Sequence, residues 1–72
     1  MNVQVFKTPY QIEREKRDLA IYNEYNELMS VDGQSSLLVN EHLMKKYNIH
    51  SIATIYVIRK RVAEHLNKEQ AI

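Results

Sequence analysis

The sequence predicts an all-α fold, a small bundle of three helices, and three observations lead to that prediction. Apolar residues recur at helical spacing in three separate stretches of the 72-residue chain. One Gly and one Pro are too few for the many turns of an all-β fold. Cysteine is absent, so no disulfide and no thiolate zinc site can stabilise so short a chain. The core of this single domain, residues 1–72, must come from packed helices or from a partner subunit.

The first helix is predicted over residues 9–29, after an N-terminal arm formed by residues 1–8. Thr8 can cap this helix, Pro9 suits its first position, and Gln11 completes a capping box. Its first half is mostly charged and is expected to be solvated or to extend past the core. Its second half is expected to carry the buried stripe, and the apolar positions of the helix are Ile12, Leu19, Ile21, Tyr22, Tyr25, Leu28 and Met29.

Two further helices follow, each after a break in the apolar pattern. The turn at 30–36 holds the only Gly and precedes a helix predicted over 36–46. Its buried face consists of Val39, Leu43, Met44 and Tyr47, supported by Leu37 or Leu38.

The second break, at 47–51, is expected to place Asn48 in a left-handed conformation and to fold Ile49 back onto the turn. Ser51 can then cap a third helix over 52–67, with residues 68–72 as a tail. The core positions of this helix are Ile52, Ile55, Ile58, Val62 and Leu66.

The net charge of +1 conceals a strong segregation of charge along the chain. Residues 45–62 contain no acid, whereas the remainder of the chain carries five basic and nine acidic side chains. Such a run can be simply a solvated face, or it can mark a surface that binds nucleic acid. We expect Arg59 to lie over apolar surface or to pair with a Glu, because its helical position is close to the core face. The five basic residues are Lys45, Lys46, Arg59, Lys60 and Arg61.

The segment from Leu43 to Arg61 resembles the helix-turn-helix of bacterial transposase and resolvase-type DNA-binding domains. Asn48 departs from the family pattern, in which Gly is usual, and Val57 stands where Arg is frequent. The turn is also one residue longer than the commonest version. The positions that match the pattern are Tyr47, Ile49, Ser51, Thr54, Ile55, Tyr56, Lys60 and Arg61.

The resemblance implies that the third helix reads the major groove of double-stranded DNA. The expected function is sequence-specific DNA binding, as a transcriptional regulator or as an accessory protein of a mobile element. The alternative is a helical module that binds another protein or dimerises without binding DNA; a homodimer also fits the DNA-binding interpretation. The expected DNA-contacting residues are Lys45, Lys46, His50, Ser51, Ala53, Thr54, Tyr56, Val57, Lys60 and Arg61.

Other functional classes find little support in the sequence. No catalytic arrangement of Ser, His and Asp stands out, so we do not expect an enzyme, a cofactor or a small-molecule substrate. His42, His50 and His65 do not have metal-ligand spacing, so no metal site is expected. The chain has neither an apolar run long enough to span a membrane nor a secretory signal, and a cytoplasmic location is expected.

Overall fold

The computed structural model describes residues 5–70 of the chain, and the side chains of residues 5–68. It contains helix α1 at Pro9–Met29, helix α2 at Ser36–Lys46 and helix α3 at Ile52–Gln70. Residues 5–70 include no β-strand. The chain is therefore an all-α, three-helix bundle, as the apolar spacing predicts.

The first two helices begin at side-chain caps. At the start of α1, the Thr8 hydroxyl accepts a hydrogen bond from the Gln11 N–H (3.1 Å). The Gln11 side-chain oxygen in turn accepts from the Thr8 N–H (2.8 Å), which completes the capping box. The hydroxyl of Ser35 caps α2 by accepting from the Leu38 N–H. The predicted bounds of both helices are confirmed.

The turn between α2 and α3 also has the predicted geometry. Asn48 has a φ of 55°, in the left-handed region. The N–H of Ile49 donates to the carbonyl of Met44 at 2.8 Å, which is the long hydrogen bond of a Schellman motif. Ile49 is buried against the core, so the side chain after the turn fixes the position of α2 relative to α3.

The two ends of the chain differ in part from the prediction. Helix α3 ends at Gln70 instead of residue 67, so residues 68–70 of the predicted tail are helical. The reason is that Lys, Glu and Gln are strong helix formers and no Gly or Pro stops the helix there. In the predicted arm, Val5 and Phe6 are exposed and precede α1 without regular secondary structure. Residues 1–4 of the arm and 71–72 of the tail lie outside the described residues.

The buried core is small and lies where all three helices meet. It is bordered by partly buried side chains that include Tyr25, Met44 and Val62. Every buried apolar residue except Ile49, which lies in the turn, occupies a helix position that the apolar spacing predicts. Among residues 5–68, the buried apolar residues are Ile21, Val39, Leu43, Ile49, Ile55 and Ile58.

Several apolar residues that the sequence assigns to the core are exposed instead. Leu37 and Leu38 lie about 100° or more around α2 from Val39 and point away from the other helices. Ile12 and Leu19 are exposed because α2 is too short to cover the first half of α1. Ile52, the first residue of α3, is also exposed.

None of the helices described is both long enough and apolar enough to cross a lipid bilayer.

Candidate nucleic-acid interface

All ten residues predicted to contact DNA are exposed. They do not form one uniform patch, because their positions on α2 and α3 turn them in different directions. One set follows the outer face of α3, a second lies at the turn between α2 and α3, and a third is directed toward α1.

The outer face of α3 is opposite the side that packs into the core. Ala53, Val57 and Lys60 occupy this face at spacings of four and three residues, and all three are exposed. Val57 is 53% exposed although it is a large apolar residue. Thr54 and Tyr56 flank this face and are also exposed. This part of α3 therefore presents small, apolar and hydroxyl groups, followed by a cation.

The turn brings the end of α2 beside the start of α3. Lys45 and His50 line the same shallow depression, with a volume of about 470 Å³, together with Glu41 and Asn48. Ser51 follows directly, and its carbonyl accepts from the Thr54 N–H at the first turn of α3. The described side chains give no carboxylate partner to Lys45 or to Lys60. Two cations thus flank the start and middle of the outer face of α3.

Lys46 is directed toward α1 instead. Its Nζ lies 2.8 Å from Oε1 of Glu24, and the hydroxyl of Tyr47 donates to Oε2 of the same carboxylate at 2.8 Å. His42 approaches Glu24 at 3.6 Å. The hydrogen bond from Lys46, then that from Tyr47, lowers the pKa of Glu24, and the same carboxylate raises the pKa of Lys46 and of Tyr47. Glu24 therefore links α1 to the end of α2.

Arg61 is also held by α1. Its Nη2 lies 3.1 Å from Oδ2 of Asp18, while Arg17 donates from Nε and Nη2 to Oδ1 at 3.2 and 3.0 Å. Asp18 is only 4% exposed, so its negative charge is compensated by two guanidinium groups. The Arg61 side chain remains 51% exposed. Part of its guanidinium group is therefore accessible from outside while Asp18 fixes its position.

The remaining basic residue of the segment, Arg59, lies over the ring of Tyr25. The guanidinium carbon is 3.5 Å from the ring centroid, a cation–π contact between α3 and α1. The expectation that Arg59 covers apolar surface is confirmed. Of the five basic residues in 45–62, three are thus engaged with α1.

Two acidic residues were missed in the sequence analysis, although their spacing gives a signal. Asp18 precedes Ile21 by three residues and Tyr22 by four, which places it on the buried side of α1. Glu64 follows Lys60 by four residues and is exposed on the same face of α3. The acid-free part of this face is therefore limited to about the first three turns.

A metal centre finds no support in the described residues, which contain no group of three or more His, Asp or Glu able to hold an ion. No protein-family model, no curated protein and no solved structure matches this chain.

Proposed function

We propose that the protein binds double-stranded DNA through a helix-turn-helix formed by α2 and α3, with α3 as the recognition helix in the major groove. The observation that carries this proposal is the outer face of α3. From Ala53 to Lys60 it is exposed and free of acid, and it begins at a helix N-terminus set by a tight left-handed turn. A recognition helix needs such a face, because its first turns lie at the base edges.

The side chains on this face suit contact with bases. The Thr54 hydroxyl can donate to or accept from a base edge, and Ala53 and Val57 are small enough for close contact with a thymine methyl group. His50 and Ser51 precede the helix and supply further hydrogen-bonding groups. The acid Glu64, one turn beyond Lys60, sets the far limit of the face that approaches DNA.

The cations divide into two roles in this proposal. Lys45 and Lys60 form no ion pair among the described side chains, and they provide the main phosphate contacts. Arg61 contributes only through the exposed part of its guanidinium group, because the group is paired with Asp18. Lys46 contributes least, because its ammonium group is paired with Glu24.

The salt dependence of DNA affinity tests whether the protein binds DNA and how many phosphate contacts it makes. Two to four phosphate contacts predict that affinity for duplex DNA falls about 10- to 150-fold between roughly 50 and 200 mM salt. Fluorescence anisotropy with a labelled duplex measures this slope. Absence of binding at low salt would overturn the proposal and favour a protein-interaction module without DNA binding.

A pair of double variants locates the interface. Lys45→Ala/Lys60→Ala is expected to weaken DNA binding at least about tenfold. It should also reduce the slope of log affinity against log salt concentration by the amount that corresponds to about two lost phosphate contacts. Lys7→Ala/Lys16→Ala removes the same charge from the arm and the first half of α1, and serves as the matched control. Equal losses in the two variants would mean that binding depends on net charge rather than on α3.

Sequence specificity is tested by selection from a random duplex pool, followed by footprinting. We expect an enriched motif that depends on Thr54 and Val57, as required of a transcriptional regulator or an accessory protein of a mobile element. A Val57→Glu variant is expected to lose binding to that motif, because a carboxylate would replace the apolar contact with the bases and would be repelled by the negatively charged DNA. Enrichment of no motif would leave only non-specific DNA binding.

A further inference from the structure

Two carboxylates of α1 each hold a cation of the segment assigned to DNA binding. Glu24 pairs with Lys46 at 2.8 Å, and Asp18 pairs with Arg61 at 3.1 Å. Ammonium and guanidinium groups bind carboxylates and phosphates through the same N–H donors. Each of these two carboxylates therefore occupies donors that a DNA phosphate would use.

Both cations remain accessible from outside the bundle. The side chains of Lys46 and Arg61 are each 51% exposed. Arg61 follows Val57 by four residues, so it lies toward the same side of α3 as the outer face. Lys46 follows Lys45 in the last turn of α2, and its ammonium group sits on a flexible four-carbon stem. Rotation of the side chain can therefore take either charge away from α1 without movement of a helix.

Each carboxylate also has a second donor that stays with it when the cation leaves. Arg61 donates to Oδ2 of Asp18, whereas Arg17 donates from Nε and Nη2 to Oδ1. Lys46 donates to Oε1 of Glu24, whereas the hydroxyl of Tyr47 donates to Oε2. A buried carboxylate without any partner is costly, and the second donor avoids that cost. The cation can therefore be exchanged without leaving an unpaired carboxylate behind.

We propose that Glu24 and Asp18 compete with DNA phosphates for Lys46 and Arg61, and that α1 thereby limits the affinity of α2 and α3 for DNA. This inference rests on the proposed function and adds to it a role for α1 beyond support of the fold. At Lys46 and Arg61 a phosphate must replace an existing ion pair, so the net gain from each contact is small. A phosphate that meets Lys45 or Lys60 breaks no ion pair among the described side chains.

Substitution of Glu24 tests the competition, because glutamine removes the charge but keeps an oxygen that can accept from Tyr47. Glu24→Gln is expected to raise the affinity of the full chain for a labelled duplex about three- to tenfold at roughly 50 mM salt. It should also steepen the slope of log affinity against log salt concentration by about one phosphate contact. Fluorescence anisotropy measures both quantities.

Glu13→Gln is the matched control. It removes the same charge from α1, but Glu13 lies 3.7 Å from Lys16 of the same helix and holds no cation of 45–62. We expect less than about a twofold change in affinity. A double variant then separates release of Lys46 from general loss of negative charge. Lys46→Ala should weaken DNA binding less than about twofold in the wild type but about three- to tenfold in the Glu24→Gln background.

The outcomes distinguish this inference from the proposed function. Absence of DNA binding by the wild type would overturn both. Binding by the wild type with equal affinities for Glu24→Gln and Glu13→Gln would overturn the competition alone, as would an equal loss from Lys46→Ala in both backgrounds. Circular dichroism checks that each variant keeps its helices. The corresponding cycle at the second pair predicts that Arg61→Ala costs more affinity in an Asp18→Asn background than in the wild type, and an equal cost would contradict competition there.

Discussion

The two ends of the α1–α3 helix pair are built differently. At the closed end, residues 21–29 of α1 and 52–58 of α3 meet α2. Of the side chains in residues 5–68, this end together with the turn holds all six that are apolar and buried. At the open end, residues 9–19 of α1 face 62–70 of α3 without a third helix, and the apolar side chains there remain partly exposed. The same two helices thus provide a core at one end and an unfilled groove at the other.

The largest expected difference between the ends is in the cost of removing an apolar side chain. Leu43→Ala at the closed end should lower the free energy of unfolding by about 2–5 kcal/mol, because Leu43 is fully buried and its loss leaves a cavity. Leu19→Ala at the open end should cost less than about 1 kcal/mol, because Leu19 is 43% exposed. Urea unfolding, at a concentration where the chain is monomeric, measures both. Equal losses would mean that the core extends into the open end.

Asp18 lies at the boundary between the two ends, and its substitution separates stability from binding. Asp18→Asn should lower stability by about 2 kcal/mol, because the charge-assisted hydrogen bonds to Arg17 and Arg61 are weakened. It should also raise DNA affinity several-fold at low salt, because Arg61 is released to contact phosphate and a negative charge is removed. Thermal unfolding and anisotropy give the two readouts. Weaker DNA binding by a folded variant would mean that Asp18 serves to position Arg61.

Acid titration compares the carboxylate links of the two ends. Hydrogen bonds from Lys46 and Tyr47 hold the pKa of Glu24 below its ordinary value of 4.5. Because the folded-state pKa is the lower one, this stabilisation is present above pH 4.5 and is lost as the pH falls through the folded-state value. Glu24→Gln should cost about 1 kcal/mol at pH 7, and the difference from wild type should shrink below pH 4.5.

Glu15→Gln is the matched substitution at the open end. The hydrogen bond from Lys7 lowers the pKa of Glu15 as well, but this pair is exposed. We therefore expect a smaller pH-dependent difference than for Glu24→Gln in the same denaturation series. A larger effect at Glu15 would contradict the assignment of Glu24 as the main link between α1 and α2.

The sequence predicts the closed end well because local signals decide it. The cap at Ser35 and the left-handed Asn48 set the helix boundaries at this end, and the apolar spacing selects Ile21, Leu43 and most of the remaining core. These features depend on residues three or four positions apart, and such spacings can be read from one chain.

The open end and the cation pairing could not be predicted in the same way. Periodicity assigns Leu19 to an apolar stripe, but whether a third helix covers that stripe depends on the length and placement of α2. Lys46 and Arg61 belong to a basic run in the sequence, yet their carboxylate partners are 22 and 43 residues away. Such pairs arise only when α1 packs against the other two helices. The ten predicted contact residues are all exposed. Among their cations, Lys46 and Arg61 are paired with carboxylates of α1, whereas Lys45 and Lys60 form no ion pair among the described side chains.

The smallest expected effects come from the same substitution made once at each end. Asn48→Gly, in the turn of the closed end, should change stability by no more than about 0.5 kcal/mol. Glycine relieves the cost of a left-handed φ but increases the entropy of the unfolded chain by a similar amount. Asn67→Gly, on the exposed surface of α3 at the open end, has no such relief and should cost about 0.3–0.5 kcal/mol through helix propensity alone.

Asn48→Ala, which keeps a Cβ without the local hydrogen bonding of Asn, should cost about 1 kcal/mol. A larger loss for Asn48→Ala than for either glycine variant in precise thermal unfolding would establish that the left-handed turn is maintained in solution. A larger loss for Asn48→Gly than for Asn48→Ala would mean that residue 48 leaves this conformation, and with it the geometry that presents α3.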